Sequence, residues 1–204
     1  MSNGFLFWYE RDWSPQRAAD RITGLEAAGF SLAHAQTGRI TELSSDDNNL
    51  GDRVEIDRAT LLRRAAAETD DDFVFQYWID LDTDMVCAIG RLGPDRAVQR
   101  LYLDGLTVDQ QRFVSMVVLD QIRASGNSTY GLIIDQVGGS ANEDWDAVVA
   151  GAPERVAVRP NVVGLLPAVA AKHPELHQGP GTRVGDLVIY NPDGFLPVKQ
   201  QLVD

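Results

Sequence analysis

The sequence lacks several features that would place it in a familiar class. One cysteine, Cys87, occurs in 204 residues, so no disulfide can form within the chain. No run of about 18 apolar residues is present, so no transmembrane helix is predicted. The first residues, MSNGFLFWYERDW, have no basic start and no cleavage-site pattern, so no signal peptide is predicted. Together these absences predict a cytoplasmic protein.

Positive charge is also scarce. The chain has 30 acidic and 18 basic residues and a net charge of −12. A field of this sign repels nucleic-acid phosphates and anionic membranes, so neither is expected as a partner. It suits a soluble protein with a basic protein partner. Only Lys172 and Lys199 are lysines, and this preference for arginine is typical of GC-rich bacterial genomes.

The chain does contain an alternation of strand and helix patterns. Three main helices are predicted at about 14–29, 57–69 and 107–126, from their N-cap residues, helical apolar spacing and terminal glycines. Strands are predicted at 4–9, 30–35, 39–43, 73–79, 85–92, 98–103, 130–137 and 187–190. Short helices are predicted at 143–150 and 162–172.

Hairpin-like strand pairs outnumber βαβ units in this pattern, which favours the α+β class. We predict one domain over residues 1–204, with a mostly antiparallel mixed sheet packed by about three main helices. Residues 151–204 are rich in proline and glycine, and we expect them to form an irregular C-terminal quarter.

The stretch Tyr77–Met85, YWIDLDTDM, places three aspartates at alternate positions after an apolar strand. Asp80, Asp82 and Thr83 resemble the first motif of haloacid-dehalogenase-type phosphatases. That resemblance implies a nucleophile, an acid/base and a nearby magnesium ion. Since a second strand follows at once, the pattern favours the acidic turn of a β-hairpin, where aspartate side chains bond nearby backbone N–H groups.

The stretch LIIDQVGGSANEDWD, residues 132–146, offers a second candidate. Its Gly138, Gly139 and Ser140 resemble the nucleophile elbow of α/β-hydrolases, although Asn142 replaces the last glycine of the motif. The resemblance implies a serine nucleophile with a later histidine. The other interpretation is a strand-to-helix loop in which Ser140 or Asn142 caps the helix.

Two further patterns indicate structure rather than chemistry. In HPELH, His173 and His177 have the spacing of a zinc-binding pair on a helix, but Pro174 favours a surface loop instead. Cys87 alternates with Met85 and Ile89 and is expected to be a buried thiol. We assign no catalytic residue, cofactor or metal ligand from the sequence.

The remaining features concern binding. Trp8 and Trp13 lie close together near the N-terminus, where the pattern favours a place in the core, and we include them as candidate interface anchors. The acids cluster around three connections, and we expect these clusters to form a partner surface: Asp46, Asp47, Asp70, Asp71, Asp72, Asp80, Asp82 and Asp84. The cluster at 70–72 and the cluster at 80–84 flank the strand predicted at 73–79. A strand of about seven residues separates its two ends by roughly 20 Å.

In size, acidity and lack of motifs the chain is similar in character to bacterial immunity proteins, which bind and block a cognate toxin. The sequence therefore predicts an acidic cytoplasmic protein that binds a basic protein partner. A small hydrolase using Ser140 or the Asp80/Asp82 pair is the first alternative. A structural or adaptor subunit is the second, and homo-oligomers are compatible with the composition.

Overall fold

A computed structural model describes residues 4–44, 51–69, 71–177, 179–191 and 194. Within these residues one antiparallel sheet of ten strands is accompanied by five α-helices, three of them long. The prediction of an α+β fold with a mostly antiparallel sheet and about three main helices is confirmed.

The strands are β1 (Phe5–Arg11), β2 (Ile40–Leu43), β3 (Arg53–Ile56), β4 (Phe73–Trp78), β5 (Asp84–Arg91), β6 (Arg96–Tyr102), β7 (Thr129–Asp135), β8 (Val162–Leu165), β9 (Thr182–Val184) and β10 (Leu187–Tyr190). The helices are α1 (Pro15–Ala27), α2 (Arg58–Ala65), α3 (Val108–Ala124), α4 (Trp145–Ala150) and α5 (Pro167–Ala170). The strand order is β3-β2-β4-β5-β6-β1-β7-β8-β10-β9.

The chain divides into two compact units. The N-terminal unit is Glu10–Tyr102, and the C-terminal unit combines Met1–Tyr9 with Leu103–Asp204. Strand β1 contributes residues to both units. The prediction of a single domain over residues 1–204 stays a prediction.

In the N-terminal unit, helices α1 and α2 contact one face of the sheet. Helix α1 begins where Ser14 Oγ accepts a hydrogen bond from Arg17 N at 3.2 Å. Phe30, just after α1, lies against Tyr77, and the guanidinium of Arg64 in α2 lies 5.3 Å from the centre of the Phe73 ring. The residues of β4 and β5 on this face are almost fully buried: Phe73, Phe75, Tyr77, Met85, Cys87 and Ile89.

The opposite face of β4 and β5 is only partly covered. Because side chains alternate along a strand, Trp78 and its cross-strand partner Asp84 share this face with Val74 and Val86. All four are partly exposed. The sheet of this unit therefore has one helix-covered face and one face with accessible apolar and acidic groups.

In the C-terminal unit, α3 begins with the predicted capping box. Thr107 Oγ1 accepts from Gln110 N at 3.3 Å, while Gln110 Oε1 accepts from Thr107 N at 2.9 Å. Helix α4 packs on β7 so closely that Gly131 has no room for a side chain next to Val149. Strands β7, β8, β10 and β9 follow one another by antiparallel pairing.

Two secondary-structure predictions were wrong, and two short strands were missed. Residues 30–35 form only isolated bridges at Ser31 and Ala33, because the chain leaves the sheet between them. The helix predicted at 162–172 is instead strand β8 followed by α5, with Pro167 at the first helical position. Strands β3 and β9 were not predicted, since they have only four and three residues and lie at the two ends of the strand order.

The C-terminal quarter is more regular than expected, because β8, β9 and β10 extend the sheet there. The turn predicted at 191–194 lies partly outside the described residues. Among the residues that the structure describes, no helix is long and apolar enough to cross a membrane.

Candidate functional site

The connection between β4 and β5 is a tight acidic turn. Ile79 N donates to Thr83 O at 2.9 Å, which closes the hairpin. Asp80 Oδ1 accepts hydrogen bonds from Asp82 N at 3.0 Å and Thr83 N at 2.8 Å. Asp80, Leu81 and Asp82 are all exposed, and 56% of Leu81 is accessible. The hairpin turn predicted from YWIDLDTDM is confirmed, and its backbone is held by one of its own carboxylates.

This geometry differs from what the phosphatase resemblance implies. The candidate nucleophile, Asp80, uses one carboxylate oxygen to hold the turn, and the chain returns at once into the antiparallel strand β5. Across the described ranges, no group of three or more His, Cys, Asp or Glu side chains is arranged to hold a metal ion. In this turn Asp80 therefore acts as a structural hydrogen-bond acceptor.

Next to the turn, the partly exposed sheet face continues the same surface. Trp78 and Asp84 form the last cross-strand pair before the turn, and Val86 lies two residues further along β5. Asp84 accepts a hydrogen bond from Gln76, and Arg53 Nη2 lies 3.7 Å from Asp84 Oδ2. We call Asp80, Leu81, Asp82, Trp78, Asp84 and Val86 the acidic tip surface.

A second acidic group lies at the other end of β4. The register pairs Phe73 with Ile89 and Trp78 with Asp84, so Asp71 and Asp72 are about 20 Å from the turn along a six-residue strand. The two acidic groups are therefore too far apart to form one small site, which agrees with the separation expected from the sequence.

This second group is also partly neutralised. Arg100 Nη1 donates to Asp72 Oδ2 at 2.7 Å, and the pair lies over Gly90, where any side chain would collide with both groups. Asp71 is exposed. Asp46, Asp47 and Asp70, the other predicted members, lie outside the described residues.

The two predicted aromatic anchors are core residues. Trp8 is fully buried, and its Nε1 donates to Thr129 Oγ1 at 2.9 Å. Trp13 is 4% exposed, and its Nε1 donates to Ala65 O at 3.1 Å. Since both indoles are buried and hydrogen-bonded, neither can reach a partner in this conformation, and the interface role predicted for them is corrected to a structural one.

The serine of the elbow-like stretch is buried in a structural loop. Asp135 ends strand β7, and its Oδ1 accepts from Val137 N and Gly138 N at 3.1 and 2.9 Å. Its Oδ2 accepts from both the backbone N and Oγ of Ser140 at 2.7 and 2.6 Å. Ser140 is fully buried, so its hydroxyl stabilises the loop and is not presented to a substrate.

The late histidines are engaged elsewhere. His173 is buried, with Nδ1 3.2 Å from Glu175 Oε1 and Nε2 2.9 Å from Ala152 O. His177 Nε2 lies 3.0 Å from Ala170 O, and its ring stacks on Tyr190. These contacts fit neither a Ser–His pair nor a zinc-binding pair. The stretch follows α5 at the surface, where Pro174 and His177 are exposed as the surface-loop interpretation predicted, but the His173 side chain itself is buried.

Cys87 and Glu10 are among the buried ionisable groups of the N-terminal unit. Burial raises the pKa of the Cys87 thiol well above its ordinary value, as expected for an inert structural cysteine. Glu10 accepts from Arg21 Nε at 2.7 Å and from Gln99 Nε2 at 2.8 Å. Burial raises the pKa of Glu10, and the neighbouring Arg21 opposes that rise. The sequence could not indicate this network, because its members lie on β1, α1 and β6.

Sequence reasoning also missed a cleft in the C-terminal unit. It has a volume of about 320 Å³ and a mainly polar lining that includes Arg155, Arg159, Glu175 and His177. Both arginines, Arg155 and Arg159, contribute to the lining of this one cleft. The signal in the sequence was weak, because the arginines occur in an irregular segment with no motif.

Comparison with protein-family models, curated proteins and solved structures finds no match for this chain. Its function is therefore inferred from its own geometry and charge.

Proposed function

We propose that this chain is a cytoplasmic binding protein that captures a basic protein partner, in the manner of an immunity or inhibitor protein. The acidic tip surface is the proposed contact. The observation that carries the proposal is the turn itself, in which Asp80 holds the backbone while Leu81 and Asp82 face solvent.

A pre-formed turn favours association, because less conformational entropy is lost when the partner binds. Leu81 supplies an apolar side chain that can enter a pocket on the partner, and Asp82 lies beside it. Protein interfaces commonly combine an apolar centre with a polar rim. The partly exposed Trp78 and Val86 extend the apolar part beyond the turn.

The chemistry of this surface defines the partner. Carboxylates at the rim favour a surface rich in lysine and arginine, and the net charge of −12 accelerates its approach. Toxins that act on nucleic acids commonly carry such basic surfaces, because they must approach phosphates. A basic toxin is therefore the partner class that this surface fits best.

The proposal is tested by capture from extracts of the source cells, followed by binding measurements with the purified partner. Leu81→Ala is expected to weaken binding about tenfold through faster dissociation, as for the loss of an interface anchor. Asp82→Lys is expected to slow association several-fold and to flatten its salt dependence. Asp104→Lys makes the same charge change at an exposed position of the C-terminal unit and serves as the control.

A basic partner bound equally well by wild type, Leu81→Ala and Asp82→Lys would show that the acidic tip surface is not the contact. Equal slowing of association by Asp82→Lys and Asp104→Lys would show that only the overall charge matters. Both outcomes would overturn the proposed site.

A further inference from the structure

The cleft in the C-terminal unit is built around an irregular segment, residues 152–160. This segment carries two exposed arginines, Arg155 and Arg159, on the lining of the cleft. Within the described part of the chain neither guanidinium has a hydrogen-bond or ion-pair partner. Each can therefore bind a ligand without first breaking an internal contact.

The backbone of the segment is fixed by carboxylates. Glu143 Oε1 accepts from Ala157 N at 3.1 Å and from Val158 N at 2.9 Å. Glu175 Oε1 accepts from Val156 N at 3.0 Å. The side chain of Val156 is buried beside Arg155. The segment is thus irregular but well anchored, and the positions from which both arginines project are set in advance.

The hydrogen bonds that Glu175 accepts determine the charge and the orientation of its carboxylate at the cleft. Partial burial raises the pKa of Glu175, but hydrogen bonds from its own N–H, from Val156 N–H and from His173 outweigh this effect, so the pKa is lowered. Glu175 is therefore charged, and the charge is directed at backbone N–H and the His173 ring instead of the arginines. The charged side chains that line the cleft are Arg155, Arg159 and Glu175.

We propose that this cleft binds a phosphate-type oxyanion, and that its ligand is a phosphate monoester of a small polar group. Guanidinium groups bind phosphate oxygens through two parallel hydrogen bonds, and two guanidiniums can share one dianion. The volume of about 320 Å³ lies at the lower end of small-molecule sites, which leaves room for a polar group beyond the phosphate. The His177 ring, which is stacked on Tyr190, contributes a flat wall for that group.

The first test titrates the purified chain with inorganic phosphate and with glycerol 3-phosphate, at an ionic strength held constant with sodium chloride. Calorimetry and phosphorus NMR are expected to show saturable binding of both probes, with tighter binding of the monoester. Binding of inorganic phosphate alone would restrict the site to a free anion and overturn the monoester assignment. Absence of saturable binding of either probe would overturn the site.

The arginines are tested by Arg155→Gln and Arg159→Gln. Each is expected to weaken phosphate binding about tenfold, because each removes charge-assisted hydrogen bonds to the anion. Arg183→Gln is the matched control, since Arg183 is an exposed arginine of β9 that does not line the cleft. Its effect is expected to stay within about twofold. Equal weakening by all three variants would show non-specific attraction and overturn the site.

A pair of substitutions at Glu143 separates positioning from charge. Glu143→Gln keeps an acceptor for Ala157 N and Val158 N and removes one negative charge, so binding is expected to be unchanged or slightly tighter. Glu143→Ala removes the same charge and both hydrogen bonds, and it is expected to weaken binding several-fold. If both variants tighten binding equally, the anchored segment has no role and the proposal of a built site fails.

Discussion

Replacing Arg21 by methionine is expected to destabilise the protein strongly, because it leaves a buried carboxylate without its cationic partner. Glu10 is fully buried, and the side chain of Arg21 is 7% exposed. Methionine retains most of the apolar stem of arginine, so the substitution mainly removes the guanidinium. Of the two side-chain hydrogen bonds to the Glu10 carboxylate described above, the variant keeps the one from Gln99 Nε2.

Removing one partner of a buried ion pair costs about 3–5 kcal/mol in the free energy of unfolding. An exposed pair provides the comparison. Arg58 Nη1 lies 2.7 Å from Glu26 Oε2, the same distance as in the buried pair, but the two side chains are 44% and 28% exposed. Arg58→Met is expected to cost about 0–1 kcal/mol.

The cost of Arg21→Met is also expected to depend on pH. In the folded protein the pKa of Glu10 is raised above its ordinary value of 4.5, and loss of Arg21 raises it further. A carboxyl whose pKa is higher when folded binds more protons in the folded state, so stability falls as pH rises from the unfolded pKa to the folded pKa. The loss relative to wild type is therefore larger at pH 7.5 than at pH 5. Each additional unit in the pKa of Glu10 corresponds to about 1.4 kcal/mol.

Urea denaturation followed by tryptophan fluorescence measures both variants against wild type at the two pH values. Taking the difference in the free energy of unfolding between each variant and wild type removes the contribution of groups that titrate equally in all three proteins. A cost of Arg21→Met below about 1 kcal/mol at pH 7.5, equal to that of Arg58→Met, would refute the reasoning. So would a cost that does not change between the two pH values.

Two further outcomes follow from the packing. Gly131→Ala would place a Cβ 2.5 Å from Val149 Cγ1 and is expected to cost about 1–3 kcal/mol in urea denaturation, whereas Gly139→Ala, whose nearest side-chain atom is 3.8 Å away, should change stability by less than about 0.5 kcal/mol. Equal effects of the two substitutions would contradict the close packing of α4 on β7. Cys87 is buried and its pKa is raised by that burial, so a chromogenic disulfide reagent at pH 8 is expected to react with it only after unfolding. Rapid reaction in the native protein would contradict the burial.

Features encoded by neighbouring residues could be predicted from the sequence. The caps at Ser14 and Thr107 and the hairpin after Trp78 all depend on residues within a few positions of one another, and all are present. The apolar run of β8 was wrongly assigned to a helix, because a short buried strand and a short buried helix cannot be distinguished by periodicity alone.

The sites depend on contacts between distant residues, and that is why the sequence indicated them poorly. Glu10 and Gln99 are 89 positions apart, and Glu175 reaches Val156 across 19 positions. Ser140 resembles a nucleophile in sequence, yet Asp135, five residues earlier, holds it inside a loop. The acidic turn was recognised correctly because its hydrogen bonds join residues no more than four apart.

The turn between β4 and β5 has a consequence for how this protein can change over evolutionary time. Asp80 alone supplies the side-chain acceptor that both backbone N–H groups use, whereas Leu81 and Asp82 extend into solvent. Substitutions at Leu81 and Asp82 can therefore accumulate without loss of the turn, while substitutions at Asp80 are disfavoured. The proposed contact surface can therefore vary at two side chains while the backbone of the turn stays the same.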